Sequence, residues 1–192
     1  MRKLLAVAIT SFLIIGLSSA AWCSVEGDWD MTGKMSAKVK IQGEGSKKLK
    51  AYVVDEFTFS PGGDFEMIDA GGSWIQTGKK FIVELDRDSI EALYEDTLYS
   101  VLGVHVNVNV IEATITGTEN KNNTIKAKFN LLMTFENDFY DLYGTAQAKA
   151  SLKGTRWGNF QSSMAEEGAP SQFDSALLEA VQKAIQSSTI EK

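Results

Sequence analysis

Residues 125–135 read IKAKFNLLMTF and carry the clearest pattern in this chain. Every second residue from Ile125 to Phe135 is apolar, and the residues between them are mostly lysine, asparagine or threonine. Alternation with a period of two is typical of a β-strand that has one face on a core and the other in water. The stretch therefore predicts a half-buried antiparallel strand.

Similar alternation occurs through most of the chain between Trp29 and Leu152. The segments that separate the alternating stretches are rich in Gly, Pro, Asn and Ser, which are typical of turns. At Val110 and Ile111 the apolar phase slips by one residue, which predicts a β-bulge within a long strand. We therefore expect about eight strands, joined mostly by short turns and each with one apolar face.

Two segments have apolar residues at helical spacing instead. The first is a helical insertion at about residues 88–102, where Asp88 and Glu91 resemble a capping box and Gly103 is a suitable C-terminal stop. The second is a C-terminal helix at about residues 171–187, with an apolar stripe along one side.

These elements predict a mainly β fold, because a long meander of strands tends to close and so remove its exposed edges. We expect an antiparallel up-and-down β-barrel or deep half-barrel with the two helices added, and the alternative is an open sheet curved around the first helix. The predicted organisation is a signal peptide at 1–23, a lipocalin-like barrel domain at 24–156, a linker at 157–170 and a C-terminal helix packed on the barrel at 171–192.

The first 23 residues have the layout of a secretory signal peptide. Arg2 and Lys3 precede an apolar run at 4–17, and small residues follow it. The sequence therefore predicts an exported protein, periplasmic or secreted, with no membrane span after signal removal. A lipid anchor at Cys23 is not expected, because the bulky Trp22 precedes it. The cleavage position stays open among Ala20, Ala21 and Cys23.

Charge and composition exclude several classes of function. The chain has 19 basic and 25 acidic side chains, and without Arg2 and Lys3 the net charge is −8. A nucleic-acid partner is not expected, since binding phosphates requires a basic surface. One His and one Cys leave little material for a metal site or a His-dependent triad. We expect no enzymatic activity, no metal and no cofactor.

The alternation also fits an outer-membrane barrel, whose apolar residues face lipid. The polar faces of these strands carry many lysines, and the lumen of a barrel of about eight strands is too narrow to hydrate them all. The pattern therefore favours a barrel with its apolar face inside. The oligomeric state stays open.

Two positions at the ends of the predicted barrel carry a family resemblance. Gly27, Asp28 and Trp29 form a G-x-W sequence at the start of the first strand, and Arg156 follows the last one. This arrangement resembles the lipocalins within the calycin β-barrels. The resemblance implies that Trp29 closes one end of the barrel, that Arg156 packs over its ring, and that a helix follows the barrel.

The inward face of the last strand contains three alanines, Ala146, Ala148 and Ala150, which fill little space. Because protein interiors are closely packed, either a helix or large side chains must fill the barrel, or an apolar cavity remains. If a cavity exists, we expect a small hydrophobic partner, and methionines would give it adaptable walls. The predicted ligand-binding residues are Met31, Met35, Phe57, Phe59, Trp74, Phe129, Met133, Phe135 and Ala148.

Three hypotheses for function follow. The first is an exported, soluble lipocalin-like protein that binds or carries a lipid or fatty acid in the barrel. The alternative is a cell-envelope interaction or assembly protein with a filled core and no small-molecule ligand. The third, an enzyme, would rest on Asp55 or His105. Strict alternation places Asp55 inward. We expect a local bulge to expose it instead, and the alternative is a buried polar group that must find a partner or a ligand.

Overall fold

The structure is a computed structural model, and it describes residues 24–43, 45–120, 123–140 and 142–157. The predicted signal peptide at 1–23 and the predicted C-terminal helix at 171–187 lie outside the described residues. The predicted linker does too, apart from Trp157.

Eight antiparallel strands form a closed barrel in chain order, which confirms the predicted mainly β, up-and-down architecture. Each strand pairs with the next, and pairing of the last strand with the first closes the ring. The strands are β1 (Gly27–Ile41), β2 (Gly45–Phe59), β3 (Asp64–Met67), β4 (Ala70–Thr77), β5 (Lys80–Leu85), β6 (Asn107–Asn120), β7 (Thr124–Asn137) and β8 (Leu142–Arg156).

The apolar face of every long strand points into the barrel, where it forms the core. On β1, for example, Met31 and Val39 are buried, whereas Lys34 and Lys38 between them are exposed. Burial of apolar surface stabilises a fold by about 25 cal/mol per Å², so this sorting of side chains drives the sheet to close. The alternation in the sequence therefore identified the inner and outer faces correctly.

The predicted β-bulge in β6 is confirmed. Pairing between β6 and β7 shifts register between Val110 and Glu112, which leaves Ile111 as the extra residue. Val110 and Ala113 are both buried as a result, while Ile111 is exposed. The bulge lets a long strand bend around the barrel and keep its apolar residues inside.

One α-helix, α1 (Arg87–Leu102), connects β5 to β6, as the helical spacing predicted. Its N-cap is Asp86, which accepts hydrogen bonds from the Asp88 amide at 3.2 Å and the Ser89 hydroxyl at 2.6 Å. The expected capping box of Asp88 and Glu91 is therefore wrong. The helix ends at Gly103, whose φ of 66° is the left-handed conformation that glycine adopts without strain. A short 3₁₀ helix (Asp138–Tyr140) connects β7 to β8.

Candidate functional site

An aromatic cluster fills part of the barrel interior. Phe59 lies at its centre, with ring centroids 5.1 to 6.4 Å from four other aromatic rings, all edge to face. Such arrangements stabilise beyond the area they bury. The members of the cluster are Phe57, Phe59, Phe65, Trp74 and Phe81.

Glycines on neighbouring strands make room for large side chains. Gly117 is paired with Phe81 across β5 and β6, and Gly144 is paired with Phe135 across β7 and β8. A Cβ atom at either glycine would overlap the phenylalanine ring next to it. The space these glycines leave is therefore filled by rings from the adjacent strand, as packing to normal interior density requires.

A cavity of about 130 Å³ remains beside the aromatic cluster. Side chains from α1, from the β3–β4 hairpin and from the inner faces of β1, β2, β5, β7 and β8 line it, and two carboxylates, Asp55 and Asp69, are among them. Only three of the nine predicted ligand-binding residues line this cavity: Met35, Phe57 and Phe129. The other six are Met31, Phe59, Trp74, Met133, Phe135 and Ala148, which are buried elsewhere in the core.

Asp55 is buried in the barrel interior, with 8% of its surface exposed. Pairing of β1 with β2 is regular through this position, so the expected bulge that would expose it is wrong. One carboxylate oxygen accepts hydrogen bonds from the amides of Glu56 at 2.8 Å and Ile68 at 3.3 Å. Burial nevertheless raises the pKa of Asp55 from 3.8 to about 6, because desolvation outweighs the two hydrogen bonds.

At one end of the barrel, the Arg156 guanidinium lies over the ring of Trp29, 4.9 Å from its centroid. The indole Nε1 of Trp29 donates a hydrogen bond to the Val25 carbonyl at 2.7 Å, and Arg156 donates one to the Ser24 carbonyl. These are the two residues to which the resemblance to lipocalins assigned barrel closure. Their contacts hold residues 24 and 25 against the end of the barrel.

Two glutamates of α1 bind the edge of β6. Glu91 accepts a hydrogen bond from the Val110 amide at 2.6 Å, and Glu95 accepts one from the Val108 amide at 2.9 Å. The β5–β6 pairing covers only residues 114–118 of β6, so these amides lie on an otherwise open edge. The helix thus protects an edge that the sheet leaves unpaired.

The residues considered for catalysis are not brought together. Asp55 lies in the interior, whereas His105 is exposed and its ring stacks on Tyr99 at a centroid distance of 4.3 Å. Within the described part of the chain, no group of three or more His, Cys, Asp or Glu side chains could hold a metal ion. No helix among the described residues is long and apolar enough to cross a membrane.

No family model matches the sequence, and no curated protein matches it. Among solved structures, the chain is similar to Ail, the attachment invasion locus protein of Yersinia pestis, at 8% sequence identity and a TM-score of 0.36. The match covers 68% of this chain and 99% of Ail. At this level of similarity the match by itself assigns no function.

The prediction of a soluble, lipocalin-like carrier of a small hydrophobic ligand is wrong. No family model and no curated protein matches the chain, so the comparisons give a lipid-transport role no support. The volume of the cavity argues against a carrier role, because about 130 Å³ is well below the roughly 300–1,000 Å³ of small-molecule pockets. Six of the nine predicted ligand-binding residues are buried away from this cavity, and three line it. The coarser prediction, an exported protein, is retained.

Proposed function

We propose that this protein is an exported cell-envelope interaction or assembly protein that acts through the outer surface of a filled barrel. The observation that carries the proposal is the packed interior. Edge-to-face aromatic rings and side chains seated over glycines occupy the space where a carrier would hold its ligand. Because the interior has no site large enough for a carried ligand, we assign partner binding to the outer surface of the barrel.

The remaining cavity has a mostly apolar lining that includes two polar groups. Asp55 and Asp69 both line it, and burial already raises the pKa of Asp55 to about 6. An apolar ligand would remove more water from these carboxylates without giving them hydrogen bonds, which is unfavourable. A filled core with a small, partly polar void fits a structural role for the interior.

The proposed location is the periplasm or the cell exterior, with the protein held peripherally at the envelope. The apolar run of residues 4–17 supports export. The outer face of the barrel carries lysines such as Lys34 and Lys149, whereas a membrane-spanning barrel presents an apolar band to lipid. Its role is binding rather than catalysis.

The resemblance to lipocalins is part of the proposal as a feature of architecture alone. Trp29 and Arg156 would close one end of the barrel, as the equivalent residues do in that family. The contacts of both side chains with residues 24 and 25 support this assignment.

The test combines cell fractionation with mass spectrometry on the full-length protein in its exporting host. We expect the native and denatured masses of the purified protein to agree, and the protein to sediment with envelope membranes after osmotic release. A stoichiometric small-molecule adduct that is lost on denaturation, or complete recovery in the released soluble fraction, would overturn the proposal.

A cavity variant provides the matched control. Ala150 lines the cavity, and Ala150→Val narrows it without changing the outer surface. Envelope association should be the same as in the wild type if the surface is what binds. Loss of association in a folded Ala150→Val variant would show that the cavity is the functional site.

A further inference from the structure

The outer surface of four adjacent strands, β7, β8, β1 and β2, has a strong positive charge. We refer to its lysines as the lysine face. All nine of them are exposed: Lys34, Lys38, Lys40, Lys48, Lys50, Lys126, Lys128, Lys149 and Lys153.

The lysine face contains no carboxylate. Strand pairing places twenty outward-facing residues in five rows across the four strands, from the row of Thr32 to the row of Lys40. Nine of the twenty are lysines and none is Asp or Glu. The outward carboxylates of these strands lie beyond the rows, at Asp28, Asp30 and Glu56 near one end and at Glu136 near the other. This segregation occurs in a chain whose net charge is −6.

The register sets lysines directly opposite one another. Lys38 of β1 faces Lys48 of β2, and Lys126 of β7 faces Lys153 of β8. Like charges in directly opposite positions destabilise a sheet. Solubility does not require this arrangement, because mixed or negative charge serves it as well. The lysine face is therefore better explained by an anionic partner than by solvation.

We propose that the lysine face docks the protein onto a membrane surface through anionic phospholipid headgroups. The inference rests on the proposed envelope function and names its partner. Basic clusters of this size bind anionic lipid, and the attraction falls off within a Debye length of roughly 8–10 Å. Long lysine stems let side chains on the flanking strands extend toward the same plane.

The shape of the lysine face favours a membrane over a linear polyanion. Its charges are spread over four strands, about 14 Å along the curved barrel wall at the usual strand spacing, and over five rows, rather than along a groove. Two apolar side chains on β2 are exposed within it: Tyr52, at 62%, paired with Lys34, and Val54, at 55%, paired with Thr32. A tyrosine beside lysines on an exposed surface suits the headgroup region of a bilayer.

The experiment measures binding of the full mature chain to vesicles by sedimentation. Vesicles that contain phosphatidylglycerol are compared with vesicles of phosphatidylcholine alone, at low and at high salt. We expect binding to the anionic vesicles only, and its loss at high salt. Equal binding to neutral vesicles, or no binding to either, would overturn the inference.

Two double variants with the same change in net charge separate the lysine face from overall charge. Lys38→Glu with Lys149→Glu alters the centre of the lysine face, and Lys79→Glu with Lys80→Glu alters the β4–β5 turn. The first should weaken vesicle binding by about tenfold or more, and the second by less than about twofold. Equal losses would contradict a localised site. Far-UV circular dichroism checks that both variants fold. Lys38→Glu is not expected to destabilise the sheet, because it places an attractive charge opposite Lys48.

A soluble polyanion distinguishes the other source of negative charge. Binding of polyphosphate with no binding to anionic vesicles would overturn the membrane proposal in favour of a polymeric partner. If the protein sediments with envelope membranes in its host but ignores anionic vesicles, the lipid inference fails while the proposed envelope function stands. If the protein binds the vesicles but is fully recovered in the soluble fraction of its host, the proposed envelope function fails, whereas the lipid-binding inference stands.

Discussion

The Arg156 guanidinium lies 4.9 Å from the centroid of the Trp29 ring, at the end of the barrel where β8 meets β1. A cation over an indole face is attracted by the negative potential of the ring. Both side chains also hydrogen-bond to main-chain carbonyls of residues 24 and 25. The pair thus joins the two strands that close the barrel to the segment that precedes β1.

The energetic coupling of these two residues is the first prediction. Arg156→Met should lower the free energy of unfolding by about 1–3 kcal/mol, since it removes the cation and a hydrogen bond. Trp29→Leu should cost about 3 kcal/mol or more, because the indole is fully buried. A double-mutant cycle by urea unfolding should give a coupling of about 0.5–2 kcal/mol. Additive losses would show that the stacking contributes no stability.

Asp55 makes stability depend on pH. Because burial raises its pKa from 3.8 to about 6, the folded state binds the proton more tightly than the unfolded state does. The contribution of Asp55 to the free energy of unfolding therefore falls as pH rises from 3.8 to about 6, and the full loss of stability is reached above that pKa. Its size is about 3 kcal/mol, from a shift of roughly two pKa units.

Asp55→Asn tests this pH dependence. Asparagine keeps an oxygen for the Glu56 and Ile68 amides and removes the charge. We expect the variant to be more stable than the wild type by about 1–3 kcal/mol above pH ~7, and by much less below pH ~4, in urea unfolding. Asp64→Asn, at an exposed position, is the control and should change little at either pH. A gain from Asp55→Asn that does not vary with pH would contradict the prediction.

Two alanines on the same strand separate the cavity from the packed core. Ala148 and Ala150 both face inward on β8, but only Ala150 lines the cavity. Ala150→Val should raise the free energy of unfolding by about 0.5–2 kcal/mol because it fills empty space. Ala148→Val should lower it by about 1–3 kcal/mol because it overpacks a filled region. Thermal and urea unfolding measure the change in stability of each variant. A change of the same sign in both would contradict the assignment of Ala150 to the cavity and of Ala148 to the packed core.

These alanines show where inference from sequence ends. A period of two assigns every residue of β8 to a face, because successive side chains in a strand point to opposite sides. It cannot say which inward alanine has empty space next to it, because side chains from other strands decide that. Ala148 and Ala150 look equivalent in the sequence, and for the same reason the sequence could not show that six of the nine predicted ligand-binding residues lie away from the cavity.

Contacts between residues that are far apart in the sequence also could not be predicted from local patterns. Glu91 lies three residues after Asp88, so local spacing indicated a capping box, yet its partner is the Val110 amide, 19 residues away. That amide needs an acceptor only because β5 is too short to pair with the first half of β6. Asp55 is similar, since the pattern placed it inward and only the regular β1–β2 register shows that no bulge exposes it.

The contacts of α1 with β6 lead to a prediction about local stability. Glu91→Ala should leave the Val110 amide without its acceptor and lower the free energy of unfolding by about 1–3 kcal/mol. Amide hydrogen exchange should accelerate at Val108 and Val110 more than in β8. Glu91→Gln retains an acceptor oxygen and should cost less. Asp96→Ala, at an exposed position on the same helix, is the control, and an equal effect there would contradict the assigned contact.

The lysine face should carry a measurable cost in stability. Lys48 faces Lys38 across β1 and β2, whereas Lys50 faces Ser36, so the two differ in having a like charge opposite. Lys48→Glu should raise the free energy of unfolding by about 0.2–1 kcal/mol at low salt, and Lys50→Glu by less. The difference should shrink at high salt because exposed charges are screened.

Both variants should weaken binding to anionic vesicles, since each removes one positive charge from the lysine face and adds a negative one. A substitution that stabilises the fold and impairs binding would show that the like-charge pair is kept for its partner. If Lys48→Glu leaves stability unchanged and binding intact, the pair has neither the cost nor the use assigned to it.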